Sequence, residues 1–187
     1  MQTKQSRLVI LSRNFRSYHK YIGLVLAILF VISSLTGVLL GVKKQFDVLQ
    51  APTQKGEAKK LEEWLDLSIL AEKASEGLAA AYPGEEGLTI DRMDVRPSKG
   101  VVKVIFEEHW WEVQVDGKTG EVKSIAKRTS DWIETLHDGS IISEGFKVVS
   151  MNLVGWGLFF MTLSGIWLWY GPLLIRKNKR SRQTSPK

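Results

Sequence analysis

The sequence has no cysteine among its 187 residues. Disulfide bonds, thiolate metal sites and the C-x-x-C-H attachment of c-type haem are therefore excluded. Charge is missing from two long stretches, since no Asp, Glu, Lys or Arg occurs in residues 21–42 or in residues 148–175. Each stretch is longer than the roughly 20 residues that a helix needs to cross a bilayer. We predict two membrane-spanning helices, one at 21–42 and one at 148–175.

Motifs of catalysis are also lacking. The sequence contains no nucleophile motif, phosphate-binding loop, flavin or nicotinamide fingerprint, or cluster of metal ligands. We therefore expect that the chain is not an enzyme on its own and that it has neither catalytic residues nor a metal site built from clustered side chains.

Acidic residues are absent from both ends of the chain. Residues 1–20 carry five Lys or Arg and residues 176–187 carry six, whereas the region between them has 15 Lys and Arg against 20 Asp and Glu, a net formal charge of −5. Basic segments next to membrane spans stay in the cytoplasm. We predict a cytoplasmic basic N-terminus at 1–20, a cytoplasmic basic tail at 176–187 and a translocated central segment. The basic ends favour contact with the lipid bilayer over contact with nucleic acid.

The translocated segment has the pattern of an α+β domain. Residues 43–60 are polar and predict a tether. Apolar residues then recur at helical spacing in "LDLSILAEKASEGLAAAYPG", and turn residues separate the short β-prone runs that follow. We predict an extracytoplasmic domain at 61–128, in which one helix packs on a three- or four-stranded antiparallel sheet between the two transmembrane helices.

Alternation along the run "HWWEVQVD" assigns its side chains to the two faces of the sheet. His109, Trp111, Val113 and Val115 share one face, which we predict to be the core face. Trp110 then lies exposed on the other face and is a candidate contact surface for a partner, although a single exposed Trp on a sheet is also common. We interpret His109 as a strand-end histidine and not as a metal ligand, because the neighbouring carboxylates alternate faces.

Small residues recur in both predicted spans. An inverted repeat relates "SLTGVLL" to "TLSGIWL" and matches Thr36 with Ser164 and Gly37 with Gly165. Two copies of such a chain can build a four-helix bundle, so we expect a homodimer or a larger membrane complex. Close helix packing is predicted at the small residues Ser33, Gly37, Gly41, Gly157 and Gly165.

The region between the domain and the second span, residues 129–147, contains "TSDWIETLHDG". Asp131 is a typical helix start, Gly139 is a typical stop, and apolar residues fall on one side between them. This pattern predicts a short helix on the outer membrane surface that carries His137.

The central domain resembles the PepSY domain. It ends in "WWEVQVDGKTGEVKSI", an aromatic strand followed by an Asp, a Thr-Gly turn and another strand, which is the recurrent feature of that domain. With the flanking spans, residues 14–172 resemble the small two-span branch of the PepSY-associated transmembrane proteins. The resemblance implies a bacterial inner-membrane protein whose PepSY domain lies in the periplasm or outside the cell, where it binds a protein or small-molecule ligand.

Larger relatives in the resembled family include ferric-siderophore reductases, which bind b-type haem through histidines in their spans. The resemblance implies His19 and His137 as candidate haem ligands. The predicted topology places them at opposite membrane edges, roughly 30 Å apart. They cannot bind one iron together, so each needs a second ligand, most simply the same histidine of a second subunit or a ligand from another partner. The alternative for His19 is an interfacial anchor formed with Tyr18, Lys20 and Tyr21.

Three functions are compatible with these features. A non-enzymatic accessory or binding subunit of a membrane or periplasmic system agrees best with the missing catalytic motifs. The alternative, which the resemblance implies, is a component of transmembrane electron transfer that binds haem b, for example in ferric-siderophore reduction. The third is direct protease inhibition, because PepSY domains resemble parts of protease propeptides.

Overall fold

The computed structural model describes the backbone of residues 4–183 and the side chains of residues 9–177. Within this range the elements are α1 (Lys4–Gly41), α2 (Leu67–Ala81), β1 (Ile90–Arg96), β2 (Val101–Phe106), β3 (Trp111–Asp116), β4 (Val122–Lys127), α3 (Thr129–Asp138) and α4 (Glu144–Gln183). Two short 3-10 turns lie at Leu61–Glu63 and Pro97–Lys99. The predicted basic ends at 1–20 and 176–187 extend beyond the described residues.

The chain divides into two compact units. One unit is Gly37–Thr135, which contains the whole sheet and α2. The other comprises the chain up to Thr36 and from Leu136 onward, and it contains most of α1 and all of the described α4.

The sheet is antiparallel, with its strands in sequential order from β1 to β4. The predicted α+β architecture is therefore confirmed, with four strands. From α2, Leu70, Ala74 and Leu78 are buried against one sheet face, and their four-residue spacing places them on one side of the helix. They share a core with alternate residues of β2 and β3: Val102, Val104, Phe106, Trp111, Val113 and Val115. Alternation in β3 thus predicted the core face correctly for Trp111, Val113 and Val115.

The opposite face of the sheet is covered as well, by the segment that the sequence predicts to be a tether. The backbone N–H of Gln54 donates to Oε1 of Gln114 at 2.8 Å, and Nε2 of Gln114 donates to the carbonyl of Pro52 at 3.1 Å. Further along, the N–H of Glu57 donates to the Asp116 carboxylate at 2.9 Å. The polar composition of residues 43–60 predicted a tether and not a packed segment. In the structure, polar side chains of β3 form hydrogen bonds with the backbone of this segment.

Buried charges lie under this second layer. Glu112 accepts from Nζ of Lys103 at 2.9 Å and from Nη1 of Arg128 at 2.6 Å, and Nε of Arg128 also donates to Asp131 at 2.8 Å. Burial of the Arg128 guanidinium disfavours its charged form, but the carboxylates of Asp131 and Glu112 outweigh this and raise the pKa of Arg128 above its ordinary value. A buried charge of this kind is tolerated only while its partners remain.

The turn between β2 and β3 differs from the prediction. His109 and Trp110 have φ values of 58° and 60°, as the two central residues of a type I′ turn do, and β3 begins at Trp111. His109 therefore does not belong to the core face, and its Nδ1 lies 2.6 Å from the Glu85 carboxylate. Trp110 is half-buried in the turn instead of exposed on the strand. Its role as a partner surface stays a prediction.

Two helical segments are long and apolar enough to cross a membrane, Val9–Gly41 and Glu144–Lys177. Only 11% and 6% of their most apolar stretches are buried within the chain. A core helix of a soluble protein is mostly buried, so this exposure is what a lipid-facing helix requires. Both helices extend past the predicted spans, and α1 continues through the basic segment that precedes Tyr21.

We predict that Glu112→Gln destabilises the sheet by about 3 kcal/mol, because it leaves Lys103 and Arg128 buried with one carboxylate fewer than they need. Hydrogen exchange of the β2 and β3 amides in the detergent-solubilised full chain should accelerate by about a hundredfold. Glu121→Gln is the matched control, since Glu121 pairs with Lys123 at the exposed surface. Equal exchange in the two variants would contradict a structural role for the buried charges.

Candidate functional site

The helices α1 and α4 contact each other through glycines. A Cβ added at Gly157 of α4 would lie 2.5 Å from Cδ1 of Leu26, and one added at Gly23 of α1 would lie 2.6 Å from Cε of Met161. Each glycine therefore accommodates a large side chain of the other helix, which permits close approach of the backbones. The structure places Gly157, one of the predicted packing residues, at this contact.

His19 lies in the same contact, about three turns into the described side chains of α1. Its Nδ1 is 2.8 Å from Oγ of Ser164 on α4. Gly165 is adjacent to the ring, because a Cβ at this glycine would lie 3.7 Å from Cε1 of His19. The neighbouring side chains Tyr18 and Tyr21 are exposed. His19 thus faces α4, whereas the residues of the predicted interfacial anchor face outward.

His137 is positioned by a second hydrogen bond of the same kind. It lies in the last turn of α3, and its Nδ1 is 2.8 Å from Oγ1 of Thr36 on α1. Thr36 is buried, with 6% of its surface exposed. A helix is present where "TSDWIETLHDG" predicts one, as α3, and it brings His137 to α1, the helix that carries His19. Its place on the membrane surface stays a prediction.

Each of the two hydroxyl groups has a backbone carbonyl and an imidazole nitrogen within hydrogen-bond distance. Oγ1 of Thr36 lies 2.6 Å from the carbonyl of Ile32, and Oγ of Ser164 lies 3.0 Å from the carbonyl of Met161. A hydroxyl has one hydrogen and two lone pairs, so it makes both hydrogen bonds when it donates to the carbonyl and accepts from Nδ1–H of the histidine. In that arrangement Nδ1 of a neutral ring bears the hydrogen, and Nε2 bears the lone pair.

The pairing follows the inverted repeat. Thr36 and Ser164 are matched residues in the alignment of "SLTGVLL" with "TLSGIWL", and each forms a hydrogen bond with a histidine outside its own repeat. Sequence reasoning found both histidines and found the repeat, but it did not connect them. The small hydroxyl residue at the same place in both repeats was the signal available for doing so.

The turn after His137 is attached to α4. Lys147 donates to the carboxylate of Asp138 at 2.9 Å, and Oγ of Ser150 donates to the Asp138 carbonyl at 2.7 Å. Partial burial raises the pKa of Asp138, but hydrogen bonds from Lys147 and the Ser140 N–H outweigh it, so this pKa is lower than its ordinary value. The ionised carboxylate keeps the pair intact and holds the end of α3 in place.

The two histidines form separate sites. His19 and Thr36 are 17 positions apart on α1, which corresponds to about 25 Å along a helix. One iron cannot bind both imidazoles at the roughly 2 Å distance of a metal–nitrogen bond. Among the described residues, no group of three or more His, Asp or Glu side chains could hold a metal ion. Each site thus offers one imidazole per chain.

Apolar space adjoins the helices. A cavity of about 210 Å³ lies beside His137, lined by Ile32, Ser33, Ile142, Phe146 and Val154 among others. A more open groove of about 740 Å³ runs along α1 and α4, where its walls include Tyr21, Leu26, Val149, Trp156 and Phe160. Ser33, a predicted packing residue, therefore faces the His137 cavity.

The remaining predicted packing residues are Gly37, Gly41 and Gly165. Gly165 lies next to His19, as described above. A Cβ on Gly41 would contact nothing within 4 Å. The packing roles predicted for Gly37 and Gly41 therefore stay predictions.

The comparisons with known proteins agree with this architecture. A family model described as a PepSY-associated TM region matches residues 16–185, which include both long helices, both histidine sites and the domain between them. No curated protein and no solved structure gives a significant match to the chain. The family match and the two exposed apolar helices identify a membrane protein. The chain belongs to the family of PepSY-associated transmembrane proteins.

Proposed function

We propose that this protein is a haem-binding component of electron transfer across the bacterial inner membrane, acting as a homodimer with b-type haem at both histidine sites. The observation that carries the proposal is the hydrogen bond that joins Nδ1 of His19 and of His137 to a hydroxyl of a facing helix. Each Nδ1 lies 2.8 Å from that hydroxyl, and in the tautomer in which Nδ1 donates, Nε2 has a lone pair for a ligand bond.

The donor chemistry of both sites fits a haem iron. Neutral imidazole binds iron through an unprotonated ring nitrogen, and a hydrogen bond at the other nitrogen orients the ring and raises its basicity. Neither Nε2 has a hydrogen-bond partner among the described residues. The apolar lining of the cavity beside His137 would limit access of water to such a site.

Two copies of the chain complete the coordination. Each copy would supply one imidazole to each site, and two imidazoles, one from each copy, would hold one haem there. Two identical chains related by a twofold axis place the same residue on both sides of that axis. His19 would therefore pair with its counterpart in the second copy, and so would His137.

The separation of the sites suits passage of electrons through the membrane. Bound haem supplies the capacity to take up and release one electron at each site. The chain itself holds the two imidazoles about 25 Å apart along α1, close to the thickness of the hydrocarbon core. Larger relatives in the family include ferric-siderophore reductases, which favours a ferric complex as the external electron acceptor.

The same proposal includes the orientation of the chain. The basic ends support cytoplasmic termini, which would place His19 towards the cytoplasm and His137 towards the outside. The four-stranded domain would then be an extracytoplasmic domain of the PepSY type. We infer that this domain binds a partner or ligand and takes no part in electron transfer.

We predict a dithionite-reducible b-type absorption spectrum, with two haems for each dimer, in protein purified in detergent from haem-replete cells. Haem would be quantified for each chain, and the mass of the complex would be measured by light scattering. A colourless dimer from the same cells would contradict the proposal and favour an accessory subunit without a redox group.

Single histidine substitutions test the two sites separately. His19→Ala and His137→Ala should each remove about half of the bound haem, because the sites are separate. The matched control is His109→Ala, which removes the remaining histidine of the sequence, an exposed residue paired with Glu85. Membrane insertion should be unchanged in all three variants. Full haem content in both ligand variants would exclude these histidines as ligands.

The hydroxyl partner of a histidine should affect the haem affinity and the midpoint potential of its site without binding the iron itself. Ser164→Ala removes the group that orients His19, and loss of such a partner lowers affinity for a bound metal group by about 10- to 100-fold. We expect weaker haem retention and a shifted midpoint potential at the His19 site. Thr162→Ala is the control, since Oγ1 of Thr162 donates within its own helix, to the carbonyl of Leu158. Unchanged potentials in Ser164→Ala would contradict the orienting role.

A further inference from the structure

The domain between the spans contains a cleft of about 560 Å³ on the side of the sheet away from α2. Its walls carry six basic residues: Lys43, Lys44, Arg96, Lys99, Lys103 and Arg128. Asp94 is the one acidic side chain among the lining residues. The volume lies within the roughly 300–1,000 Å³ of small-molecule sites.

The positive charge of the cleft contrasts with the net negative charge of the region to which its residues belong. The region from residue 21 to residue 175 has 15 Lys and Arg and a net formal charge of −5. Six of those 15 cations line one cleft. Like charges gathered in this way repel one another, and a cleft lined by charge of one sign attracts ligands of the other.

Four of the six cations already have carboxylate partners. Lys103 and Arg128 share Glu112, as described above, and Lys43 lies 3.7 Å from Glu134. Arg96 lies 3.4 Å from Asp94, a long contact in which both side chains stay partly exposed. Since Asp131 also pairs with Arg128, the carboxylates around the cleft offset four positive charges.

Lys44 and Lys99 remain without a carboxylate at ion-pair distance among the described residues, and both side chains are exposed. The cleft and all its partners thus have an excess of two positive charges. Exposed ammonium groups with unused donors are available to an incoming anion without breaking any internal ion pair.

We propose that this cleft binds a small soluble organic anion with at least two carboxylates. Lys44 and Lys99 bind the carboxylates. Arg96 offers further N–H donors, because its contact with Asp94 is long and partly exposed. The proposal does not depend on haem, since none of these residues belongs to a histidine site.

The first test uses citrate as the probe, with titration calorimetry on the full chain in detergent at low ionic strength. We expect saturable binding that weakens as salt is added. Lys44→Gln with Lys99→Gln should lower the affinity at least tenfold. The matched control is Lys59→Gln with Lys60→Gln, which removes the same charge from exposed lysines outside the cleft. All four lysines are exposed, so the variants should fold alike.

The second test uses tricarballylate, which has the three carboxylates of citrate without the hydroxyl. Lys44→Gln with Lys99→Gln should weaken tricarballylate binding as much as citrate binding, because the lysines bind carboxylates. An unchanged affinity for tricarballylate in this variant would overturn the assignment of the carboxylates to the two lysines.

Three results would overturn the proposal as a whole. The first is no binding of citrate or tricarballylate at millimolar concentration. The second is an equal loss of affinity in the two double-lysine variants, which would show attraction by overall charge. The third is complete displacement of citrate when the chain is placed in phosphatidylglycerol nanodiscs, which would assign the cleft to lipid headgroups.

Discussion

A hydroxyl group between two membrane helices has no water with which to bond, so it donates to the nearest backbone carbonyl. Thr36 and Ser164 both do so, to carbonyls three or four residues earlier in their own helices. Nδ1 of His137 and Nδ1 of His19 lie 2.8 Å from these hydroxyl oxygens. A hydroxyl that donates to its own carbonyl can accept from Nδ1–H, and each Nε2 is then available to a ligand.

Close helix approach is the condition for these hydrogen bonds. A serine or threonine side chain is short, so its hydroxyl reaches a facing histidine only where the backbones lie close together. Gly157 and Gly23 permit that approach by accommodating Leu26 and Met161. Gly165 leaves room for the His19 ring directly beside Ser164. The small residues therefore serve the histidine sites as well as packing.

The domain between the spans combines an apolar layer and a polar layer. On one side, α2 supplies Leu70, Ala74 and Leu78 to a core that needs no specific partners beyond shape. On the other side, Glu112, Lys103 and Arg128 are buried together, so each depends on the others for charge compensation. Such a layer fixes the backbone of residues 50–58 by hydrogen bonds. It also leaves cationic groups at the cleft, where a ligand can complete the balance of charge.

Local sequence determined the elements whose pattern depends on near neighbours. The two uncharged runs predicted both long helices, helical spacing predicted α2, and alternation predicted the core face of β3 at Trp111, Val113 and Val115. Alternation failed at His109 and Trp110, because these two consecutive left-handed residues form the turn before β3, so the strand begins at Trp111. Composition alone also could not reveal that residues 50–58 pack on the sheet. Their polar backbone groups bind Gln114 and Asp116, which lie about 60 positions away in the chain.

The candidate sites also separate what the local sequence determines from what the tertiary structure determines. The sequence by itself determined that His19 and His137 lie beside or between the spans and that Thr36 and Ser164 occupy matching places in a repeat. Only the tertiary structure decided that these four residues form two hydrogen-bonded pairs, and that six cations from distant positions line one cleft. Such contacts join residues up to 145 positions apart. Periodicity and composition report only on near neighbours, whereas these contacts depend on how helices and strands pack.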